Sequence, residues 1–409
     1  MRFLILLLAV SLSASAQQTV PKRYLAEDLR IESTILNKKW LWPVGSILLG
    51  PDGRTIVGKK NSNTLKAYDS AGKPLAWELK AEYNDRSEIG WIERIGWVGD
   101  KLWVSDGWFK QVVILDRDAK IINNIPDPTW VHPKWADRRK YPLFGSMQTI
   151  AVYPDSTKLV IPLSPRTLFD TPGFNRKVSH LLRVDNGGAV RKDVAQFDDD
   201  DRGRLTLRNG RATPHTMIVP YHAQRFWSVT PDGKRITFVE PAVSATDSGN
   251  VRVVALNENG DTIYARRYPM PVVRITQMAR DSAIKSRNGY GEQTAEQVHA
   301  ELAKRTPFFK TFLTNALIGN DYSTWIFLRP VSDSAQTQEA LVLDERGEPI
   351  ARLEIPANFT PLTVNRSHLW GVDKKTPGLV RFKVQDKAPP PMPKPVPPPR
   401  TATASKGKG

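Results

Sequence analysis

Along most of this chain, short runs that alternate apolar with polar residues end at turn-forming residues. One unit reads Ser46-Ile-Leu-Leu, Gly50-Pro-Asp-Gly, Arg54-Thr-Ile-Val-Gly, then Thr64-Leu-Lys-Ala-Tyr-Asp, Ser70-Ala-Gly and Lys73-Pro-Leu-Ala-Trp-Glu-Leu. A period of two predicts four short strands with one buried face each. The Pro-Asp-Gly and Ala-Gly steps supply the restricted or left-handed backbone that tight turns require.

Five further units repeat this order, beginning at Ile92, Thr149, Phe226, Thr314 and Thr360. Their turns fall at Asn186-Gly187, Pro231-Asp-Gly233, Asn257-Glu-Asn-Gly260, Gly319-Asn320 and Glu345-Arg-Gly347. The last unit lacks an outermost strand, and residues 23–31, ahead of the first unit, read as a spare one. Together the defect and the spare predict an all-β, six-bladed β-propeller spanning residues 17–386 and closed by an N-terminal strand. Such closure hides the edge that an open last sheet would present. Residues 275–312 change period: Met278, Ile284, Val298 and Leu302 fit short amphipathic helices broken at Asn288-Gly-Tyr-Gly291, a small helical insertion.

The stretch Pro51-Asp-Gly-Arg-Thr-Ile-Val57 through Leu65-Lys-Ala-Tyr-Asp-Ser-Ala-Gly-Lys-Pro-Leu75, followed by Leu102-Trp-Val-Ser-Asp106 and Ile114-Leu-Asp116, resembles the NHL/TolB-like six-bladed bacterial propellers. That resemblance implies fold rather than activity, because propellers host many functions. The third to fifth units depart from it in their longer loops.

The ends of the chain read differently. Met1-Arg2-Phe3, the apolar run Leu4–Val10 and Ala14-Ser-Ala16 form a secretory signal peptide over residues 1–16, so the product is expected to be exported, periplasmic or extracellular after cleavage at Ala16. The apolar run is too short for a bilayer span, which needs about 20 residues. Residues 387–409, rich in Pro and Lys, cannot bury a core and read as a disordered tail. The chain has no cysteine, which excludes thiol catalysis, iron–sulfur clusters and Cys-ligated zinc.

Net charge is +17; Arg2 supplies one unit and Lys387, Lys394, Arg400, Lys406 and Lys408 supply five. The excess favours acidic partners: a protein, a glycan or an acidic envelope polymer. No nucleic-acid motif accompanies it.

In a propeller unit the first-to-second and third-to-fourth strand turns share one face, and here those turns are tight. The long segments, 128–146, 164–177, 198–222, 241–249 and 275–312, all fall on the opposite face. Elaborated loops on a rigid scaffold are where binding resides. The first of them brings Trp130, Trp135 and Tyr141 beside Arg138 and Arg139, side chains suited to stacking and to pairing with carboxylate or phosphate. Polar residues at the starts of inner strands are candidates to line the central channel: Glu93, Arg94, Gln148, Gln224, Arg225 and Asn315. Metal-dependent propeller hydrolases need several carboxylates there, and only Glu93 qualifies. The acidic run Asp198–Asp201 has poor spacing for a cation cage. No nucleophile elbow or phosphate loop occurs. The sequence therefore favours an exported, non-catalytic binding or scaffold protein with no cofactor. The alternative is a propeller enzyme, such as a metal-dependent hydrolase or lyase at the channel mouth, and only under that alternative does a divalent metal enter.

Overall fold

The computed structural model describes residues 20–38, 44–59, 63–82, 88–126, 147–162, 178–198, 204–207, 215–222, 224–243, 249–270, 272–287, 294–311, 313–328 and 336–388. β1 (Lys22–Glu32) runs into the short helix α1 (Ser33–Lys38). The first sheet holds β2 (Val44–Leu49), β3 (Thr55–Lys59), β4 (Thr64–Tyr68) and β5 (Pro74–Lys80). The second holds β6 (Ile92–Val98), β7 (Lys101–Asp106), β8 (Gln111–Leu115) and β9 (Ile121–Pro126). The third holds β10 (Met147–Val152), β11 (Lys158–Pro162), β12 (Val178–Val184) and β13 (Val190–Asp198).

After a hairpin, β14 (Arg204–Leu207) with β15 (His215–Ile218), comes the fourth sheet. It holds β16 (Phe226–Val229), β17 (Arg235–Val243), β18 (Gly249–Asn257) and β19 (Thr262–Met270). A pair β20 (Val272–Arg274) and β21 (Phe309–Thr311) brackets helices α2 (Gln277–Lys285) and α3 (Ala295–Arg305). The remaining strands are β22 (Leu313–Ile318), β23 (Thr324–Leu328), β24 (Thr337–Leu343), β25 (Pro349–Pro356), β26 (Phe359–Val364), β27 (His368–Asp373) and β28 (Gly378–Gln385). With β1 they form one eight-stranded sheet, ordered β22-β23-β24-β25-β1-β28-β27-β26.

One turn chemistry recurs between third and fourth strands. Asp69, Asp116, Asp344 and Asn257 each accept, through one side-chain oxygen, the backbone N–H groups two and four residues on. The residue three beyond each has positive φ: Gly72, Ala119, Gly347 and Gly260. Glycine suits that conformation because a Cβ is penalised there. This repeated device makes the tight-turn face.

The apolar faces stack sheet against sheet. Leu48, Ile56 and Leu65 meet Trp97, Leu102 and Val113 between the first two sheets. Trp103 and Ile114 meet Val152 next, and Ile150 and Leu159 then meet Ile236 and Phe238. Val251 and Tyr264 pack on Ile326 and Leu341; Phe327 and Leu353 pack on Leu369 and Val380. Finally Trp370 and Leu379 pack on Val57 and Tyr68 of the first sheet, so the row of sheets returns to its start. This is a β-propeller.

β1 joins the two ends of the chain. It pairs antiparallel with β28 from Tyr24↔Gln385 to Glu32↔Gly378, and its first residues pair parallel with β25, Lys22↔Arg352. The irregularity at Asp28 leaves its carboxylate to accept from Arg381 Nε at 2.9 Å. Strand 23–31 thus sits beside 379–384, as the repeat pattern predicts.

Two sequence-based readings are corrected. The segment 241–249 is not wholly loop: β17 and β18 stay paired out to Val243↔Gly249. Met278 does not belong to the buried helix face. It is 82% exposed, whereas Arg280 and Ile284, one turn apart, point inward.

Loops from two crossings meet in a satellite core. Leu205 and Val219 of the hairpin region pack with Ile284 of α2 and with Val298 and Leu302 of α3. Thr294 caps α3 through a reciprocal pair with Gln297. Arg280 is buried and donates to the carbonyls of Ala303 and Thr306, satisfying the C-terminal end of α3.

On the tight-turn face, the β16–β17 turn reaches past the end of β10. The Pro231 carbonyl accepts from the Trp97 amide of β6 at 2.7 Å, and the Tyr153 hydroxyl donates to the Gly233 carbonyl at 3.1 Å. Gly96 is required here, because a Cβ would stand 2.6 Å from the Pro231 oxygen.

Candidate functional site

The site begins with Asp106, the last residue of β7, which is 1% exposed. Its carboxylate accepts from the backbone amides of Gly90 (2.8 Å), Trp91 (3.0 Å), Trp108 (2.8 Å) and Phe109 (3.2 Å), and from the Gln111 side chain (3.4 Å). One side chain therefore fastens the segment entering β6 to the loop leaving β7. The Gly107 amide adds a bond to the Trp91 carbonyl at 2.9 Å, and Lys110 takes φ 52 to turn the loop into β8.

One glycine sets how close these segments lie. A Cβ on Gly90 would meet the Trp108 side chain at 2.5 Å, so that side chain lies directly on the Gly90 backbone. Both tryptophans remain open to solvent, Trp91 47% exposed and Trp108 41%. Apolar side chains exposed side by side on one surface mark candidate binding sites, and both indoles line one cleft.

They line a cleft of about 620 Å³ between the starts of β2 and β6, on the face opposite the tight turns. Among the described residues its charged lining is Lys59, Arg94 and Lys110 against one carboxylate, Glu93. Glu93 accepts from Ser105 Oγ and from Gln148 Nε2, both at 3.4 Å. Burial lowers the pKa of Arg94, while the adjacent Glu93 charge acts in the opposite direction. The Arg94 guanidinium makes no hydrogen bond or ion pair among the described residues. A partly desolvated cation with no hydrogen-bond acceptor among the described residues favours an incoming anion.

Of the inner-strand candidates, Glu93, Arg94 and Gln148 come together here. Gln224 is exposed and Arg225 half-buried just before β16, and Asn315 lies on β22 with its side chain accepting from the Ala316 amide. Neither Arg225 nor Asn315 lines this cleft. Trp130, Trp135, Arg138, Arg139 and Tyr141, and the run Asp199–Asp201, lie outside the described residues. Sequence reasoning missed Trp91, Trp108, Lys59 and Lys110. The signal was present as two Gly-Trp steps, Gly90-Trp91 and Gly107-Trp108, on either side of β6 and β7. Among the described residues no group of three or more His, Asp or Glu side chains is arranged to hold a metal ion.

The Asp106 device recurs at the end of β27. Asp373 accepts from the amides of Lys375 and Thr376, the Thr376 hydroxyl, Asn358 Nδ2 and Arg30. Burial alone would raise its pKa, but these bonds, the Thr376 hydroxyl foremost, hold it down from the ordinary 3.8 to about 2. A depressed carboxylate stabilises the fold fully above its unfolded pKa and loses that contribution as pH falls through the folded one. Asp373→Asn should therefore cost about 2 kcal/mol at neutral pH. The deficit should shrink between pH ~4 and ~2 as the native carboxylate protonates, which thermal melts of both proteins across that range will read.

No family model matches the chain, and no curated protein matches it. Among solved structures, a DUF4221 family member from Bacteroides vulgatus is 11% identical with a TM-score of 0.42, the match covering 89% of this chain and 98% of that one. Virginiamycin B lyase from Staphylococcus aureus is 10% identical at TM-score 0.34, covering 83% and 94%. The Myceliophteria thermophila Cps50 (Swd1) β-propeller domain is 10% identical at TM-score 0.33, covering 88% and 100%. Such distant likeness says nothing about ligand or reaction; the strand order and the closed row of inter-sheet cores define the class. Among the described residues no helix is long and apolar enough to cross a membrane.

Proposed function

We propose that this is an exported, six-bladed β-propeller that binds an anionic ligand on its long-loop face and does not transform it. The eight-stranded sheet supports the count of six when it is taken as two four-stranded blades, with β1 the outer strand of the last. The signal-like residues 1–16 support export, and the Pro/Lys-rich residues 387–409 suit a spacer. The observation that carries the binding role is the cleft on that face. Its described residues offer two exposed indoles and three cations to one carboxylate. One carboxylate among them suits binding better than metal-dependent hydrolysis, which draws on several oxygen ligands.

Polyglutamate and polygalacturonate, titrated at low ionic strength into the chain lacking residues 1–16, test this reading through intrinsic tryptophan fluorescence. At least one polymer should quench it saturably. Lys110→Glu should weaken that binding about tenfold with an unchanged melting temperature. Absence of saturable binding by both polymers would overturn the reading.

A further inference from the structure

We infer that the ligand of the cleft is a carboxylated oligosaccharide, its rings stacked on Trp91 and Trp108 and a carboxylate paired with Arg94. This inference rests on the binding reading above and narrows it to one chemistry. The side chains differ in what they demand. An indole face attracts a flat, weakly polar surface carrying C–H bonds, and a guanidinium fork matches the two oxygens of a carboxylate. A uronate ring presents both on one rigid body. An acidic peptide carries its carboxylates on flexible stems and offers no flat face to either indole, so it would lose more conformational entropy on binding.

The mounting of the indoles points the same way. Asp106 fixes the backbone at both Trp91 and Trp108, and the Trp108 side chain lies against Gly90. Little backbone ordering remains to be done when a ligand docks, which is how preorganisation raises affinity. Lys59 at the end of β3 and Lys110 in the β7–β8 loop place further positive charge about the same cleft, as a chain with repeated carboxylates would require. The volume lies within the roughly 300–1,000 Å³ of sites that enclose small ligands.

The test uses three probes on the full chain without residues 1–16: trigalacturonate, the neutral galactotriose, and triglutamate. Trigalacturonate should quench tryptophan fluorescence saturably, galactotriose should bind about tenfold or more weakly, and triglutamate should not saturate. Trp108→Ala and Arg94→Gln should each weaken trigalacturonate about tenfold, and Arg94→Lys should restore only part of the loss because it lacks the fork. Trp91→Ala serves as a second aromatic test should Trp108→Ala melt early. Triglutamate binding as tightly as trigalacturonate, or trigalacturonate binding untouched by either tryptophan change, overturns the glycan assignment. If polyglutamate binds and trigalacturonate does not, the binding role survives and this inference fails. Failure of both acidic polymers removes the two together.

Discussion

Replacing Asp106 with alanine should destabilise the protein by about 3–5 kcal/mol and dismantle the cleft. Alanine leaves four backbone amides and the Gln111 amide without their shared acceptor. A buried donor left unsatisfied costs about 1–3 kcal/mol. The full sum will not be reached, because the amides nearest Trp108 can recruit water once the loop loosens. Asp106→Asn retains one side-chain oxygen and should cost about half as much. Denaturant unfolding gives the stabilities, and near-ultraviolet circular dichroism reports the indoles losing their fixed setting. A loss below about 1 kcal/mol for the alanine variant would mean that Asp106 does not hold the two segments together.

Deleting residues 20–32 should prevent the monomer from folding. The deletion exposes β28 along its whole length, turning it into an unpaired edge. It also strips Ile31, Leu25 and Leu29 from the two cores that flank the end of the ring. A fully buried side chain of this size contributes about 1.5–3 kcal/mol; Ile31 is buried, Leu25 and Leu29 are half-buried and contribute part of that, and the lost ladder adds to them. Together these approach the roughly 5–15 kcal/mol that holds a typical domain. Size-exclusion chromatography should show aggregate in place of a monomer peak. A synthetic peptide covering residues 17–32, supplied during refolding, should restore the monomer by adding its strand in trans. A folded monomer without the strand, melting within a few degrees of the parent, would show that the ring closes on side-chain packing alone.

Much of the fold was legible because the repeat is local. The alternation around Ser46–Leu79 and the Asp/Asn-x-x-Gly turns act within a few residues, and the spare strand 23–31 answered a gap visible in the last unit. What stayed hidden depended on distance. Leu205 and Leu302 share one small core although nearly a hundred residues separate them, and nothing in either segment announces the other. Met278 reads as apolar periodicity, yet the inward face of α2 is set by Arg280, an unexpected buried cation that serves the end of α3.

The cleft was half legible. Glu93 and Arg94 were found because inner strands begin near the axis. Trp91 and Trp108 read as ordinary strand-flanking aromatics until Asp106 is seen to gather both segments, a role that a lone aspartate does not advertise. Gln224, Arg225 and Asn315 obey the same positional rule as Glu93 but belong to other sheets around the ring.

The bond between Pro231 and Trp97 joins strands that are not neighbours, so it spans the space about the axis on the tight-turn side. The second and fourth sheets are thereby tied directly, and any sliding of one past the other across the third must first break this bond.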